Sequence, residues 1–198
     1  RMRGFFRSIY FLPVVVSGVA VTILWQQLYA YDYGVLNTLL RSLGMQPVPW
    51  LIDASWAMPS IAIMATWKNV GIYIVLFLAG LQNIPGELYE AASLDGASAA
   101  KRFWHITLPM LNPTIVVIVV LSTIGGFSLF IEPYVLTGGG PLYATHTIGL
   151  EIWTNAFMFL KFGYATAAAW VMGAILIGFT VLQMKSLMKM KFSAAKLS

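Results

Sequence analysis

Four long apolar runs, separated by short polar stretches, set the pattern of the chain. The first is Ile9 to Tyr29, the second about Trp56 to Leu81, the third Asn112 to Ile131 and the fourth Phe162 to Met184. A helix needs ~20 mostly apolar residues to cross the hydrocarbon core, and each run reaches that length. The first, third and fourth carry no charge, and the second carries only Lys68. No run alternates apolar and polar residues as barrel strands do, and in lipid a helix is the other fold that satisfies its own backbone. The pattern predicts an all-α membrane protein with four spans, at about 9–29, 56–81, 112–131 and 162–184, forming a single transmembrane domain over 1–198. Pro13 falls in the opening turn of the first expected span, where a missing N–H costs little.

Composition agrees with a lipid solvent. The chain of 198 residues is 59% hydrophobic and 10% charged, where a soluble domain carries about a quarter charged residues. The absence of cysteine removes disulfide frameworks, thiolate metal sites and cysteine nucleophiles from consideration. The net charge is +5, but no basic patch with aromatic partners stands on a soluble surface, so nucleic acid is not an expected partner. The first apolar run is too long for a signal-peptide core and lacks a small-residue cleavage site, so it reads as a span.

Position gives the basic residues their meaning. Arg1, Arg3 and Arg7 precede the first run, Lys101 and Arg102 lie between the second and third, and Lys185, Lys189, Lys191 and Lys196 follow the fourth. The other two connections hold Arg41 and Lys161. Basic residues collect on the cytoplasmic side, so both termini and the 82–111 loop are expected there, with 30–55 and 132–161 outside. Trp25, Tyr29, Trp50, Trp56, Tyr134 and Trp153 then fall near the outer boundary, as an aromatic belt would. Residues 145–163 read as an external interfacial helix. In the fourth run Ala165, Ala169 and Gly173, then Ala174 and Gly178, recur every fourth residue, a spacing that lets helix backbones approach closely.

The 82–111 loop has helical order of its own. Pro85 can open a helix, and Glu87 and Glu90 suit its positive N-terminal end. Leu88, Ala91, Ala92 and Leu94 give it an apolar or small face, Asp95-Gly96 supplies a turn, and a second helix over about 97–107 precedes Pro109 at the approach to the third span. A flat cytoplasmic helix–turn–helix suits docking of a soluble partner. It equally suits an amphipathic hairpin on lipid, and the physics of the residues leaves both open.

The spacing of this loop resembles a known family. Glu90-Ala91-Ala92, three residues, Gly96, nine residues, then Ile106-x-Leu108-Pro109 matches the E-A-A-x3-G-x9-I-x-L-P loop of ABC importer permeases at every fixed position. "RGFFRSIYFLP" (Arg3–Pro13), "YGVLNTLLRSLG" (Tyr33–Gly44), "LAGLQNIPGELYEAA" (Leu78–Ala92) and "YVLTGGGP" (Tyr134–Pro141) are similar to the maltose and glycerol-phosphate branch of sugar permeases. The resemblance implies a type I permease bundle in a bacterial or archaeal inner membrane. It implies partnership with ABC ATPase subunits, with a second permease in a heterodimer and with an extracytoplasmic solute-binding protein, and a sugar as substrate. Such permeases have two more N-terminal spans, so a truncated six-helix chain is the expectation. The resemblance makes Glu90 the charged contact to the ATPase, Ala91 and Ala92 the points of close approach, and Gly96 the sharp turn. It makes "TGGGP" part of the surface facing the binding protein.

No P-loop is present: "TGGGP" lacks the lysine and hydroxyl that hold nucleotide phosphates, so ATP hydrolysis is expected in a partner and no cofactor in this chain. Glu132, Glu151 and His146 form no recognisable acid–base or metal set. Lys68 lies twelve residues into the second run, near mid-membrane, where a lysine costs about 2.5–3.5 kcal/mol to insert. It must face a water-filled cavity or a partner group, and a structural pair is the alternative to a functional role. Trp67, Lys68 and Asn69, with Ser122, Gly125, Gly126 and Phe127 at comparable depth in the third run, are the expected substrate path. Their aromatics, amides and hydroxyls suit a neutral saccharide, while Lys68 leaves an anionic one open. An ion-coupled secondary transporter would favour an acidic residue deep in a span, and a membrane enzyme would need a nucleophile or metal set at one depth. Neither is apparent.

Overall fold

A computed structural model describes residues 2–194. Arg1 and Lys196, two of the basic residues used for orientation, lie outside them. The described residues are helical with no strand. They form two compact units, one drawn from the chain up to Gly71 and from Gly126–Gly173, the other from Ile72–Gly125 and from Ala174 onward.

The first unit starts with α1 (Met2–Val15) and α2 (Gly18–Leu28), which the sequence reading joined into one span. They are bent by 103° at the Val16-Ser17 break. Pro13 lies inside α1 rather than in an opening turn, because the helix begins as early as Met2. Its ring removes a backbone donor and crowds the carbonyl of Ile9, and the helix ends two residues later. Ser17, at φ −48° and ψ 127°, leaves the helical region, and its carbonyl accepts the first bond of α2 from Val21 N at 3.0 Å. α3 (Val35–Ser42) and the chain to Asp53 follow, and α4 (Ala54–Gln82) is an uninterrupted apolar helix long enough to span. The Asp53 carboxylate caps it by accepting from Ser55 N at 2.8 Å and from the Ser55 hydroxyl. Those bonds hold its pKa below the ordinary aspartate value.

A core gathers at one end of this unit. Val21, Tyr29, Ile61, Met64 and Leu136 are buried together, with Trp25, Leu36, Trp50, Leu51 and Leu129 packed around them. Tyr29 Oη donates to the Ser60 carbonyl at 2.8 Å, which ties α2 to α4. Trp25, Tyr29, Trp50 and Trp56 form a run of ring contacts with centroids 5.2, 5.5 and 5.7 Å apart. These residues, expected as a lipid belt, pack on one another. Gly71 lets α1 cross α4 closely, since a Cβ there would overlap the carbonyl of Tyr10.

Asn37 pins the connection between α2 and α4. It is fully buried, donates to the carbonyls of Tyr31 (3.1 Å) and Val48 (2.9 Å), and accepts from Val48 N and Trp50 Nε1, both at 2.9 Å. Asn37→Ala is expected to cost about 1–3 kcal/mol for each of these groups that water does not reach. A lowered melting temperature and faster amide exchange over residues 31–50 are the readouts.

α9 (Ile131–Thr137) packs on α2 and ends at Gly138 in the left-handed conformation. The turn beyond it is knitted by buried Thr145, whose hydroxyl donates to the Gly140 carbonyl at 2.7 Å and meets the Thr137 hydroxyl at 2.6 Å. α10 (Ile148–Trp153) continues into a π-helical stretch, Thr154–Met158, where an external interfacial helix was expected. Phe130, Tyr134, Trp153 and Phe157 stack along it. His146 Nε2 donates to Glu151 Oε2 at 2.7 Å, and Asn155 Nδ2 donates to Oε1 at 2.7 Å. The His146 bond, then the Asn155 bond, hold the Glu151 carboxyl below its ordinary value. A lowered folded-state pKa contributes stability above the unfolded value that is lost as pH falls through the folded one. Amide protection over 145–158 is therefore expected to weaken below the ordinary glutamate range. His146→Ala should lower protection at neutral pH and converge with the wild type in acid.

The second unit contains the end of α4, then α5 (Gly86–Leu94), α6 (Ala99–Arg102), a π-helical turn Phe103–Thr107, α7 (Leu108–Met110) and α8 (Asn112–Phe127) up to Gly125. The helical stretch Ala99–Met110 meets α8 at a 60° bend. α8 stops at Phe127, four residues before the expected end of the third span, and α9 begins at Ile131 after Phe130, whose φ of −138° lies outside the helical range. α11 (Phe162–Ala194) is apolar enough to span over Phe162–Lys185 and continues beyond. Gln183 Nε2 donates to Thr123 Oγ1 at 2.7 Å, fastening α11 to α8. The expected small-residue face divides: Ala165 is buried, whereas a Cβ at Gly173 or Gly178 would meet open space.

Candidate functional site

The loop that carries the sequence signature is two helices around one glycine. Pro85 caps α5 in extended geometry, and Glu87 lies in the first turn. Asp95 closes the helix, Gly96 turns at φ +73°, and Ala97 N donates back to the Ala92 carbonyl at 2.9 Å. Ser98 then caps α6. The turn is held from behind: Arg102 Nη1 donates to Ser93 Oγ (2.6 Å), and the Ser93 hydroxyl donates to the Tyr89 carbonyl (2.7 Å). The Tyr89 hydroxyl meets that of Thr107 at 2.8 Å. Every one of these bonds leaves the outer surface uncommitted. Glu90, Ala91 and Gly96 are exposed and Ala92 is half-buried, while Leu94 at the tip is 90% exposed. Tyr89, Glu90, Ser93, Leu94 and Arg102 line a shallow recess of about 550 Å³.

The second helix of the loop runs further than the sequence suggested. It was expected over about 97–107, yet α7 passes through Pro109 to Met110. The π-turn before it explains this, because Leu108 N reaches back five residues to the Phe103 carbonyl. A widened turn accommodates a proline that has no donor to offer and whose ring crowds the preceding turn. Ile106 and Leu108 are half-buried on this segment, and Pro109 is exposed.

The expected path residues divide between the units: Trp67, Lys68, Asn69, Gly126 and Phe127 in the first, Ser122 and Gly125 in the second. Lys68 has a partner that sequence reasoning missed. Its Nζ lies 3.0 Å from Glu132 Oε1, and the two side chains are 16% and 8% exposed. Glu132 had been placed just outside the third span with no role. Glu132 instead lies in the first turn of α9, a separate helix of the first unit, and meets the middle of α4. The ammonium also occupies the space left by the missing side chain of Gly18, where a Cβ would stand 2.8 Å from Nζ. A lone lysine within a span and a lone acid at the next span's edge were the available signal. Trp67 is 44% exposed and rings with Trp25 at 5.4 Å. Asn69 donates to the Ala65 carbonyl of its own helix at 2.8 Å, and Ser122 to the Val119 carbonyl at 3.0 Å. A Cβ on Gly125 or Gly126 would meet nothing within 4 Å. Among the described residues no cluster of His, Asp or Glu is arranged to hold a metal ion.

A family model described as "Binding-protein-dependent transport system inner membrane component" matches residues 1–188. The chain is 40% identical over 183 residues to the probable ABC transporter permease protein YurN of Bacillus subtilis (strain 168), covering 91% of this chain and 63% of that protein. It is 39% identical over 183 residues to the trehalose/maltose transport system permease protein MalF of Thermococcus litoralis, covering 92% of this chain and 62% of that protein. The chain thus spans less than two thirds of the length of these relatives. A crystal structure of a bacterial ABC transporter involved in import of the acidic polysaccharide alginate aligns with a TM-score of 0.83 at 26% identity, over 95% of this chain and 66% of that one.

Proposed function

The chain belongs to the binding-protein-dependent transport system inner membrane components, and from that premise we propose that it is part of the translocation path of an ABC-type sugar importer. In this reading ATP is hydrolysed by separate subunits that grip the loop at Glu90, Ala91, Ala92 and Gly96, with Ile106, Leu108 and Pro109 setting the helix behind it. A second permease, in a heterodimer, and an extracytoplasmic solute-binding protein complete the assembly. The observation that carries the proposal is the full E-A-A-x3-G-x9-I-x-L-P signature on a braced, outward-facing helix–turn–helix between two apolar helices. A short stiff helix gripped by a partner transmits that partner's closure as rigid-body motion, which a flexible loop would absorb. Trp67, Lys68, Asn69, Ser122, Gly125, Gly126 and Phe127 are assigned to the substrate path.

The test is co-purification with an ATP-hydrolysing subunit, followed by reconstitution with the binding protein and a saccharide panel. Sugar-stimulated ATP hydrolysis is expected. Uptake that survives ATP depletion and collapses with a protonophore would instead support ion coupling.

The membrane is the bacterial or archaeal inner membrane, with both termini of the chain and the 82–111 loop in the cytoplasm. The chain's lack of cysteine makes this direct to measure. Single cysteines replacing Ala97 and Tyr143 are expected to differ, with only the second labelled in intact cells by a membrane-impermeant thiol reagent. The reverse pattern would overturn the orientation.

A further inference from the structure

Phe162, Ala165, Ala169 and Trp170 recur at helical spacing and share one face of α11, just inside the segment apolar enough to span. Ile152 on α10 and Ala156 on its π-helical extension meet that face and enclose with it a trough of about 370 Å³, wholly within the first unit. Ala156 and Ala165 are buried at its floor. Phe162 and Trp170 are 57% and 77% exposed, and no ring contact among the described residues covers either. Eight residues separate them, about 12 Å along a helix, which is most of the ~15 Å of hydrocarbon in one leaflet.

Lys161 stands at the headgroup end of this trough, directly before Phe162. Its backbone N donates to the Asn155 carbonyl at 2.7 Å and its carbonyl accepts from Ala165 N at 3.0 Å, so both walls of the trough hold it. Its side chain is exposed and has no carboxylate partner among the described residues. The ammonium lies 5.5 Å from the centroid of the Phe159 ring. The acid nearest in sequence, Glu151, is spent on His146 and Asn155.

We propose that the trough binds an anionic phospholipid, with one acyl chain lying between Phe162 and Trp170 and the phosphate paired with Lys161. A cation at the lip of an apolar trough complements a ligand with a negative head and an apolar tail, and an anionic lipid has both. A helix seated here would cover the rings and leave the ammonium unpaired. Zwitterionic lipids carry a cation of their own beside the phosphate, so the preference is for a net negative headgroup such as phosphatidylglycerol. The proposal goes beyond the importer reading. It requires α11 to span the membrane and depends on neither the sugar nor the ATP-hydrolysing partner.

The complete importer, with p-benzoyl-phenylalanine in place of Trp170 to keep an aromatic wall, is reconstituted in nanodiscs holding equal phosphatidylglycerol and phosphatidylcholine with matched acyl chains. After irradiation the adducts on this chain are identified by mass. Lipid adducts are expected, with phosphatidylglycerol in about fivefold excess, the preference one basic residue confers at an anionic surface. Lys161→Gln should bring the two lipids to equal yield, and Lys161→Arg should keep the excess. Ala169→Phe fills the trough and should lower the yield of both. Lys161 and Ala169 are exposed, so folding is not at stake, and unchanged melting of the variants checks this. Adducts to protein or none to lipid, equal yields before Lys161 is changed, an excess that survives Lys161→Gln, or a yield unaltered by Ala169→Phe would each overturn the proposal. Sugar-stimulated ATP hydrolysis by the same nanodiscs judges the importer reading separately.

Discussion

Lys68→Met is expected to be the most damaging single change in the chain. It leaves the Glu132 carboxylate buried with no counter-ion, and breaking a buried pair from one side costs about 3–5 kcal/mol. The purified complex should melt at lower temperature, and sugar uptake should be lost. Glu132→Gln should fail similarly, because the ammonium is then the unpaired charge. Lys68→Met/Glu132→Gln removes both charges and is expected to regain most of the stability, since the penalty belongs to the unpaired ion rather than to the missing bond. Transport by the double variant separates two roles. If uptake returns with stability, the pair acts by holding α4 to α9 beside the Gly18 break. Stability without uptake would keep Lys68 as a group that touches the substrate.

The second large effect is expected at Gly96. Its φ of +73° is costly for any residue with a Cβ, and most of all for a β-branched one. No neighbour lies within 4 Å of where that Cβ would stand, so crowding contributes nothing and the backbone conformation carries the whole effect. Gly96→Val should impose strain of about 1–3 kcal/mol on the turn, or reopen it and swing α5 away from α6. Loss of co-purification with the ATP-hydrolysing subunit and of sugar-stimulated hydrolysis is the expected result. Gly96→Asn provides the graded control, because asparagine tolerates the left-handed region better than alanine or valine. Activity in the order Gly, Asn, Ala, Val would tie function to the turn. Normal activity in Gly96→Val would remove the turn from the coupling scheme.

The apolar runs announced the helices, because burial in lipid depends on length and hydropathy, which are local. α4 was legible almost to the residue, and so were the Pro85 cap, the Asp95-Gly96 turn and the motif positions around them. The breaks were less legible. Pro13 looks harmless if the helix begins near Ile9 and disruptive if it begins at Met2, and nothing within the apolar run chooses between the two. The early end of α8 had only a weak signal: Gly125-Gly126 lower helix propensity just before it, but the sequence through Ile131 stays largely apolar. Glu132 was misread for that reason. Its pairing with Lys68, 64 residues away, follows from where α9 points, which tertiary packing decides. The packing of the belt aromatics on one another was not legible, because a Trp that anchors at a headgroup and a Trp that stacks on Tyr29 have the same sequence signature. Asn37 carried no signal either, since an asparagine in an amphipathic segment reads as solvated until four partners surround it.

The surplus residue in the Phe103–Thr107 turn sets a phase. Each residue of an α-helix advances the chain by about 100°, so the wide turn fixes the azimuth of Ala99–Arg102 relative to Leu108–Met110. Surface loops ordinarily absorb a one-residue deletion, but here a deletion would restore regular winding and rotate the arm that Arg102 and Ser93 brace by more than a quarter turn. The length of this segment is thus as constrained as its composition, and chain-length variation should be tolerated far better between Leu43 and Pro49 than between Lys101 and Pro109.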